Sequence, residues 1–141
     1  MLWGPQSTQK TVYEILTGDV QLQTLLGATL TDKKVYDFVP DKQVFPFVTI
    51  GEGKWEDRGS HTLEGLKCDM QINVWYRAPN RGRLKVQEIQ KRIDELLHVQ
   101  DPCIEDWNII VLRRKFVDII VDDDNVTLHG IQIFNIMIGE S

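Results

Sequence analysis

The sequence contains few of the residue types on which enzymes and metal proteins depend. Among its 141 residues are three histidines, two cysteines and three serines. His61, His98 and His129 are far apart and show no metal-ligand spacing such as HExxH. Two isolated cysteines are too few for a disulfide framework or a metal cluster, and no serine lies in a GxSxG turn. We therefore predict no enzyme activity, no cofactor and no metal site.

Positive charge is also in short supply. Sixteen Lys and Arg residues against 21 Asp and Glu residues give a net charge of -5. A protein that grips nucleic-acid phosphates normally has a basic face, so this balance disfavours that class. Residues 77–92 hold the main basic concentration, next to Trp75 and Tyr76. Such a surface suits base stacking, but we interpret it as the solvated connection between a strand and a helix.

Long apolar runs, repeats and linkers are missing as well. No apolar run approaches the roughly 20 residues that cross a bilayer. The first residues, Met1–Pro5, lack the basic region and the apolar stretch of a signal peptide. A chain of this length has the size of one ordinary domain. We expect a single domain over residues 1–141, with no membrane partner.

Apolar spacing predicts two short N-terminal helices and one main helix. Ser7 or Thr8 is positioned to cap the first helix, which Gly18 ends; Asp19 caps the second, which Gly27 ends. The main helix is predicted over Arg81–His98. Its apolar stripe consists of Val86, Ile89, Ile93, Leu96 and Leu97.

Strand patterns fill most of the remaining chain. Residues 35–39 and 45–50 read as short strands, and residues 66–77 as a long strand with strict alternation. Cys68 falls on the apolar face of that long strand, which favours a core residue over a nucleophile. We expect one face of the strand to contact a core and the other to meet solvent or another subunit.

The C-terminal part predicts a strand pair, residues 107–121 and 126–138, joined across Asp122–Asn125. The alternation slips near Gly130, which predicts a β-bulge there. The whole order of elements predicts an α+β fold, in which an antiparallel sheet carries the main helix on one face.

Several short blocks follow one another along residues 12–138. They are Leu25-Leu26-Gly27, Val35-Tyr36-Asp37-Phe38-Val39-Pro40, Phe45-Pro46-Phe47-Val48-Thr49-Ile50-Gly51, Ile72-Asn73-Val74-Trp75-Tyr76-Arg77 and a closing segment over residues 124–134. As an ordered set they resemble the tail completion proteins of long-tailed bacteriophages. The sequence departs from that family in its Met1–Gln6 extension and in its 54–62 loop.

The resemblance implies a tail terminator, also described as a tail-to-head joining protein. It implies a subunit that forms a ring, commonly a hexamer, on the last ring of tail tube protein. That ring stops tube polymerisation and offers a surface to neck or connector proteins. DNA would cross its channel without specific binding, in a virion assembled in the host cytoplasm. A neck connector or minor tail component of similar fold is the alternative, and a small enzyme or ligand-binding domain is a third hypothesis.

Two groups of residues are candidates for subunit or tail-tube contacts. Trp55 lies beside Lys54 and Arg58 in a polar, glycine-rich interval, a composition typical of interface anchors. The other reading is a plain surface loop. Trp75 and Arg77 lie on the polar face of the long strand and supply a candidate flank.

Charge in the last third of the chain suggests further contacts. Asp122, Asp123 and Asp124 read first as a solvated hairpin turn. In a ring they would face the DNA channel or stack on the next ring. Arg113-Arg114-Lys115 lies within a predicted strand, where cations discourage random edge pairing or make a specific subunit contact.

Overall fold

The computed structural model of the chain describes residues 3–39, 41, 44–51, 53–77, 82–99, 104 and 106–140. It confirms the α+β class. The elements, in chain order, are α1 (Gly4–Gly18), α2 (Val20–Leu26), β1 (Val35–Tyr36), β2 (Phe47–Ile50), β3 (Trp55–Asp57), β4 (Gly65–Arg77), α3 (Gly82–Asp94), a π-helical turn (Glu95–Val99), β5 (Trp107–Val121) and β6 (Thr127–Glu140).

Helix α1 begins earlier than the sequence predicts. It starts at Gly4 and contains Pro5 in its first turn, where the missing N–H has no helical partner to lose. Ser7 and Thr8 are buried within the helix, so their assignment as caps is wrong. The Thr8 hydroxyl donates to the Gly4 carbonyl at 2.9 Å, which satisfies it without a capping role.

Helix α2 has both predicted boundaries. The Asp19 carboxylate accepts a hydrogen bond from the Leu22 N–H at 2.8 Å, and Gly27 ends the helix with φ 68°. Left-handed backbone of this kind favours glycine. Asp19 also binds the Arg92 guanidinium of α3 through two hydrogen bonds, of 2.7 and 2.8 Å. One side chain thus caps α2 and ties it to α3.

The sheet has the order β1-β2-β4-β6-β5, and β3 also pairs with β4. All pairs are antiparallel except β1 with β2. Strands β4 and β6 run together without a break from Gly65↔Gly139 to Arg77↔Thr127. The face that α3 covers, here called the inner face, carries the buried apolar side chains of both strands; the opposite face is called the outer face. The inner-face residues are Cys68, Met70, Ile72, Val74, Phe134, Ile136 and Ile138.

The predicted bulge at Gly130 is wrong. Strand β6 keeps its register with β4 through Gly130. The glycine is there because α3 approaches closely: an added Cβ would lie 2.7 Å from Val86 Cγ1 and 2.7 Å from Gln90 Nε2. The register shifts instead occur in β5, between Ile109 and Val111 and between Arg114 and Phe116.

Helix α3 presents its predicted apolar stripe to the sheet. Val86, Ile89 and Ile93 are fully buried, and the π-helical turn that follows buries Leu96 and Leu97. The predicted start at Arg81 lies outside the described residues.

Candidate assembly surfaces

Residues 51–62 do not form the long loop that the sequence suggests. Strand β3 continues along β4 beyond β2, so that Trp55 pairs with Cys68. The actual turn is shorter: the Arg58 N–H donates to the Gly65 carbonyl, and the Ser60 N–H to the Leu63 carbonyl, each at 2.8 Å. The strand Trp55–Asp57 therefore interrupts the polar interval, and residues 58–64 form the turn that leads into β4.

The pairing of β3 with β4 changes the role of the candidate residues Lys54, Trp55 and Arg58. Trp55 is half-buried against the core, and the prediction that it is exposed is wrong, because its pairing with Cys68 places it on the inner face. Lys54 and Arg58 are exposed. Arg58 forms an ion pair with Glu56 at 3.3 Å. Such surface pairs contribute little to stability, so both cations are available to a partner.

Trp55→Ala is therefore expected to lower the free energy of unfolding by about 1–3 kcal/mol, a part of the cost of truncating a fully buried tryptophan. Urea denaturation measures the change. Lys54→Ala, at the exposed neighbouring position, serves as the matched control and should shift stability by less than about 0.5 kcal/mol. Unchanged stability of Trp55→Ala together with lost tail attachment would instead support the anchor role.

Trp75 belongs to an aromatic stack on the outer face. Its ring lies between those of Phe47 and His129, with centroid distances of 6.3 and 3.9 Å. The indole N–H donates to Thr49 Oγ1 at 3.0 Å. His129 is within 2.7 Å of Asn73 Oδ1, and burial lowers the pKa of His129. Trp75 is thus held in place by contacts within its own chain.

Arg77 joins this stack to the β5–β6 turn. Its guanidinium lies over the Phe45 ring, 4.6 Å from the centroid, and donates to Thr127 Oγ1 at 3.0 Å and to Asp124 at 3.2 Å. Asp124 also accepts from the N–H groups of Val126 and Thr127 and from the Thr127 hydroxyl. Hydrogen bonds from Thr127, first of all, lower the pKa of Asp124 to about 2. This carboxylate organises the turn.

The turn itself matches the prediction. The Asn125 N–H donates to the Asp122 carbonyl at 2.9 Å, and Asn125 has φ 58°. Asp122 and Asp123 are exposed and turn outward at the tip. The structure therefore brings Trp75, Arg77 and Asp124 together at one end of the sheet.

The other candidate residues lie at the opposite end. Trp55 pairs with Cys68, whereas Arg77 ends β4. At roughly 3.3 Å per residue, the nine positions along β4 from Cys68 to Arg77 separate these two sites by about 30 Å. The candidates thus divide into two surfaces, one at each end of the long strands.

A third surface carries Arg113, Arg114 and Lys115, for which the sequence offered a specific subunit contact as one of two readings. The 15-residue strand β5 pairs with β6 along one edge, and none of the described strands pairs with its other edge. Phe116 and Ile120, which pair with outer-face residues of β6, are 47% and 46% exposed. The signal in the sequence is a strand with apolar side chains on both faces and three consecutive cations at its centre.

Metal binding and thiol chemistry would depend on a few side chains in the described part of the chain. No group of three or more His, Cys, Asp or Glu side chains there is arranged to hold a metal. The Cys68 thiol is buried, and burial raises its pKa to about 11, which makes it a poor nucleophile. None of the described helices is long and apolar enough to span a membrane.

The fold matches a chain of the native gene transfer agent virion with a TM-score of 0.78, at 19% identity and over 93% of both chains. It is therefore the fold of a known virion subunit. The sequence model of the family "Tail completion protein gp17" matches residues 10–139. The chain belongs to this family of tail completion proteins.

One relative in the family is the tail completion protein gp17 of Bacillus phage SPP1. It is 26% identical over 87 residues, which make up 62% of this chain. The match spans 63% of the length of that relative.

Proposed function

We propose that this protein is a tail terminator: it forms a ring on the end of the tail tube, stops tube polymerisation and provides the surface for head-tail joining. The observation that carries this proposal is the family match, which covers residues 10–139. The role is one of binding, without turnover, and the chain performs it as a single domain.

The two end surfaces support such a role, because a terminator contacts different partners on its two sides. Arg58 lies at one end of the long strands, with Lys54 a few residues further along β4, and Asp122 and Asp123 lie at the other end. Strands that run along the ring axis would present one end to the tail tube protein and the other to a neck or connector protein. We assign the Lys54 and Arg58 end to the tube.

The end of the sheet that carries Asp122 and Asp123 suits a channel through which DNA passes. Asp122 and Asp123 are exposed. The cation next to the turn, Arg77 of β4, is already bound by Asp124 and does not offset their charge. Anionic groups repel DNA phosphates, so they favour passage through a channel over retention. A ring of six copies would have a mass of about 98 kDa, six times the 16.3 kDa of one chain.

Electron micrographs of particles assembled without this chain test the proposal. Tails longer than those of wild-type particles support termination. Tails of normal length that fail to attach to heads would support the alternative, a neck connector or minor tail component. Normal tails on normal heads would contradict both functions.

A further inference from the structure

The two edges of the sheet differ in a way that suits head-to-tail contact between copies. Strand β5 forms one edge, and its outer face carries Phe116 and Ile120, both half exposed, and Arg113. The sheet order places β1 at the opposite edge. A ring requires two complementary surfaces on opposite flanks of one subunit, and these edges occupy such flanks.

The β1 edge offers a groove. Helix α1 and strand β1 enclose a volume of about 350 Å³, lined by Tyr13, Tyr36, Phe38 and Asp37 among others. Phe38 is 67% exposed, and Asp37 is exposed. The groove also contains Lys10, so its lining carries one charge of each sign. Its aromatic side chains fit an apolar side chain, and the exposed Asp37 carboxylate offers a partner to a cation beside it.

The β5 edge carries that combination. Of its three consecutive cations, Arg114 binds Asp94 at 2.7 Å and Lys115 binds Asp69 at 2.8 Å. Among the described residues, neither Arg113 nor Asp37 has an ion-pair partner within 4.0 Å. Arg113 shares the outer face with Phe116, since their partners in β6 are Asn135 and Ile133.

Pairing of β5 with a second β5 is disfavoured by charge. Arg114 is the central residue of the strand. A two-fold antiparallel pair centred there would place Arg114 opposite Arg114 and Arg113 opposite Lys115, and like charges directly opposite destabilise a sheet. The same cations thus exclude self-pairing while leaving the edge open to a different surface.

We propose that the β5 edge of one copy docks on the α1–β1 groove of the next copy, with Phe116 in the groove and Arg113 paired with Asp37. This inference rests on the proposed ring and names its subunit contact. Six repetitions close the ring, and every β5 edge is then covered by a neighbouring copy.

A charge exchange tests the contact in phage particles assembled with each variant in place of the wild-type chain. Arg113→Asp and Asp37→Arg should each lower the number of infectious particles at least about tenfold. The double variant should recover to within about threefold of wild type. Single changes without effect, or a double variant no better than either single one, would overturn the docking.

Further variants test whether something other than the groove of a second copy occupies the β5 edge. Phe116→Asp should prevent assembly, whereas Leu84→Asp, at a 67% exposed position of α3, should assemble as wild type. Thermal unfolding verifies that each variant is folded. Sedimentation of the purified wild-type chain as a dimer that Phe116→Asp disrupts and Asp37→Arg leaves intact would show β5 self-pairing and contradict the proposal. A loss that the charge exchange does not repair would point to contact with the tube protein instead.

The outcomes also distinguish this inference from the proposed function. If particles lacking the chain have abnormal tails and all charge variants restore them, termination stands and only the docking fails. If particles lacking the chain have normal, attached tails, the proposed function itself fails.

Discussion

Replacing Ile93 by alanine is expected to lower the free energy of unfolding by about 2–5 kcal/mol. The Ile93 side chain is fully buried where α3 contacts the sheet, with Ile89 one turn away and Val86 two turns away. Close approach at Gly130 holds the helix against the strands, so the cavity left by the missing atoms cannot collapse easily. Urea denaturation followed by circular dichroism measures the change.

Leu84→Ala provides the control on the same helix. Leu84 is exposed, so its truncation removes little buried surface and should change stability by less than about 0.5 kcal/mol. A comparably small effect for Ile93→Ala would mean that α3 does not rest on the sheet, and the apolar stripe would then be an assembly surface.

Periodicity predicted the elements whose pattern extends over many residues. The alternation of β4 and the stripe of α3 both emerged as expected, because burial of one face imposes a period on the sequence. Asp19 and Gly27 also marked the limits of α2 correctly, since capping and left-handed backbone depend on local chemistry.

Failures arose where tertiary contacts override a local signal. Gly130 lies where a helix approaches the sheet. A glycine within a strand is typical both of a β-bulge and of such a close contact, so the sequence alone does not separate the two. Trp55 lies in a polar interval of the sequence, yet it forms part of a strand that pairs with β4. The free edge of β5 was not visible because strand order is set by packing between distant segments.

The candidate surfaces show the same limit. Trp75 and Arg77 were predicted together on one strand and Asp124 in a separate turn, and the link between the two groups through Arg77 depends on the register between β4 and β6. The sequence therefore identified residues but did not show which of them share a surface. Only pairing across the sheet separates the Lys54 end from the Asp122 end.

Asp19→Ala is expected to lower the free energy of unfolding by roughly 3 kcal/mol at pH 7. The substitution removes an N-cap, worth about 1 kcal/mol, and hydrogen bonds to a charged group, worth about 1.5–3 kcal/mol. Both side chains of the ion pair are largely buried, with exposures of 14% for Asp19 and 17% for Arg92. Solvent therefore cannot replace the lost contacts fully. Chemical denaturation at pH 7 measures the change.

Asp19→Asn separates the two contributions, because asparagine caps helices as well as aspartate but carries no charge. Hydrogen bonding to Arg92, above all, lowers the pKa of Asp19 from its ordinary value of 3.8. A lowered folded-state pKa stabilises the protein above the unfolded value and loses that effect as pH falls through the folded value. The stability difference between wild type and Asp19→Asn should thus be complete at pH 7 and shrink below about pH 4. Equal stability of the two proteins at pH 7 would show that the Asp19 charge contributes nothing, and the cap alone would then fix α2.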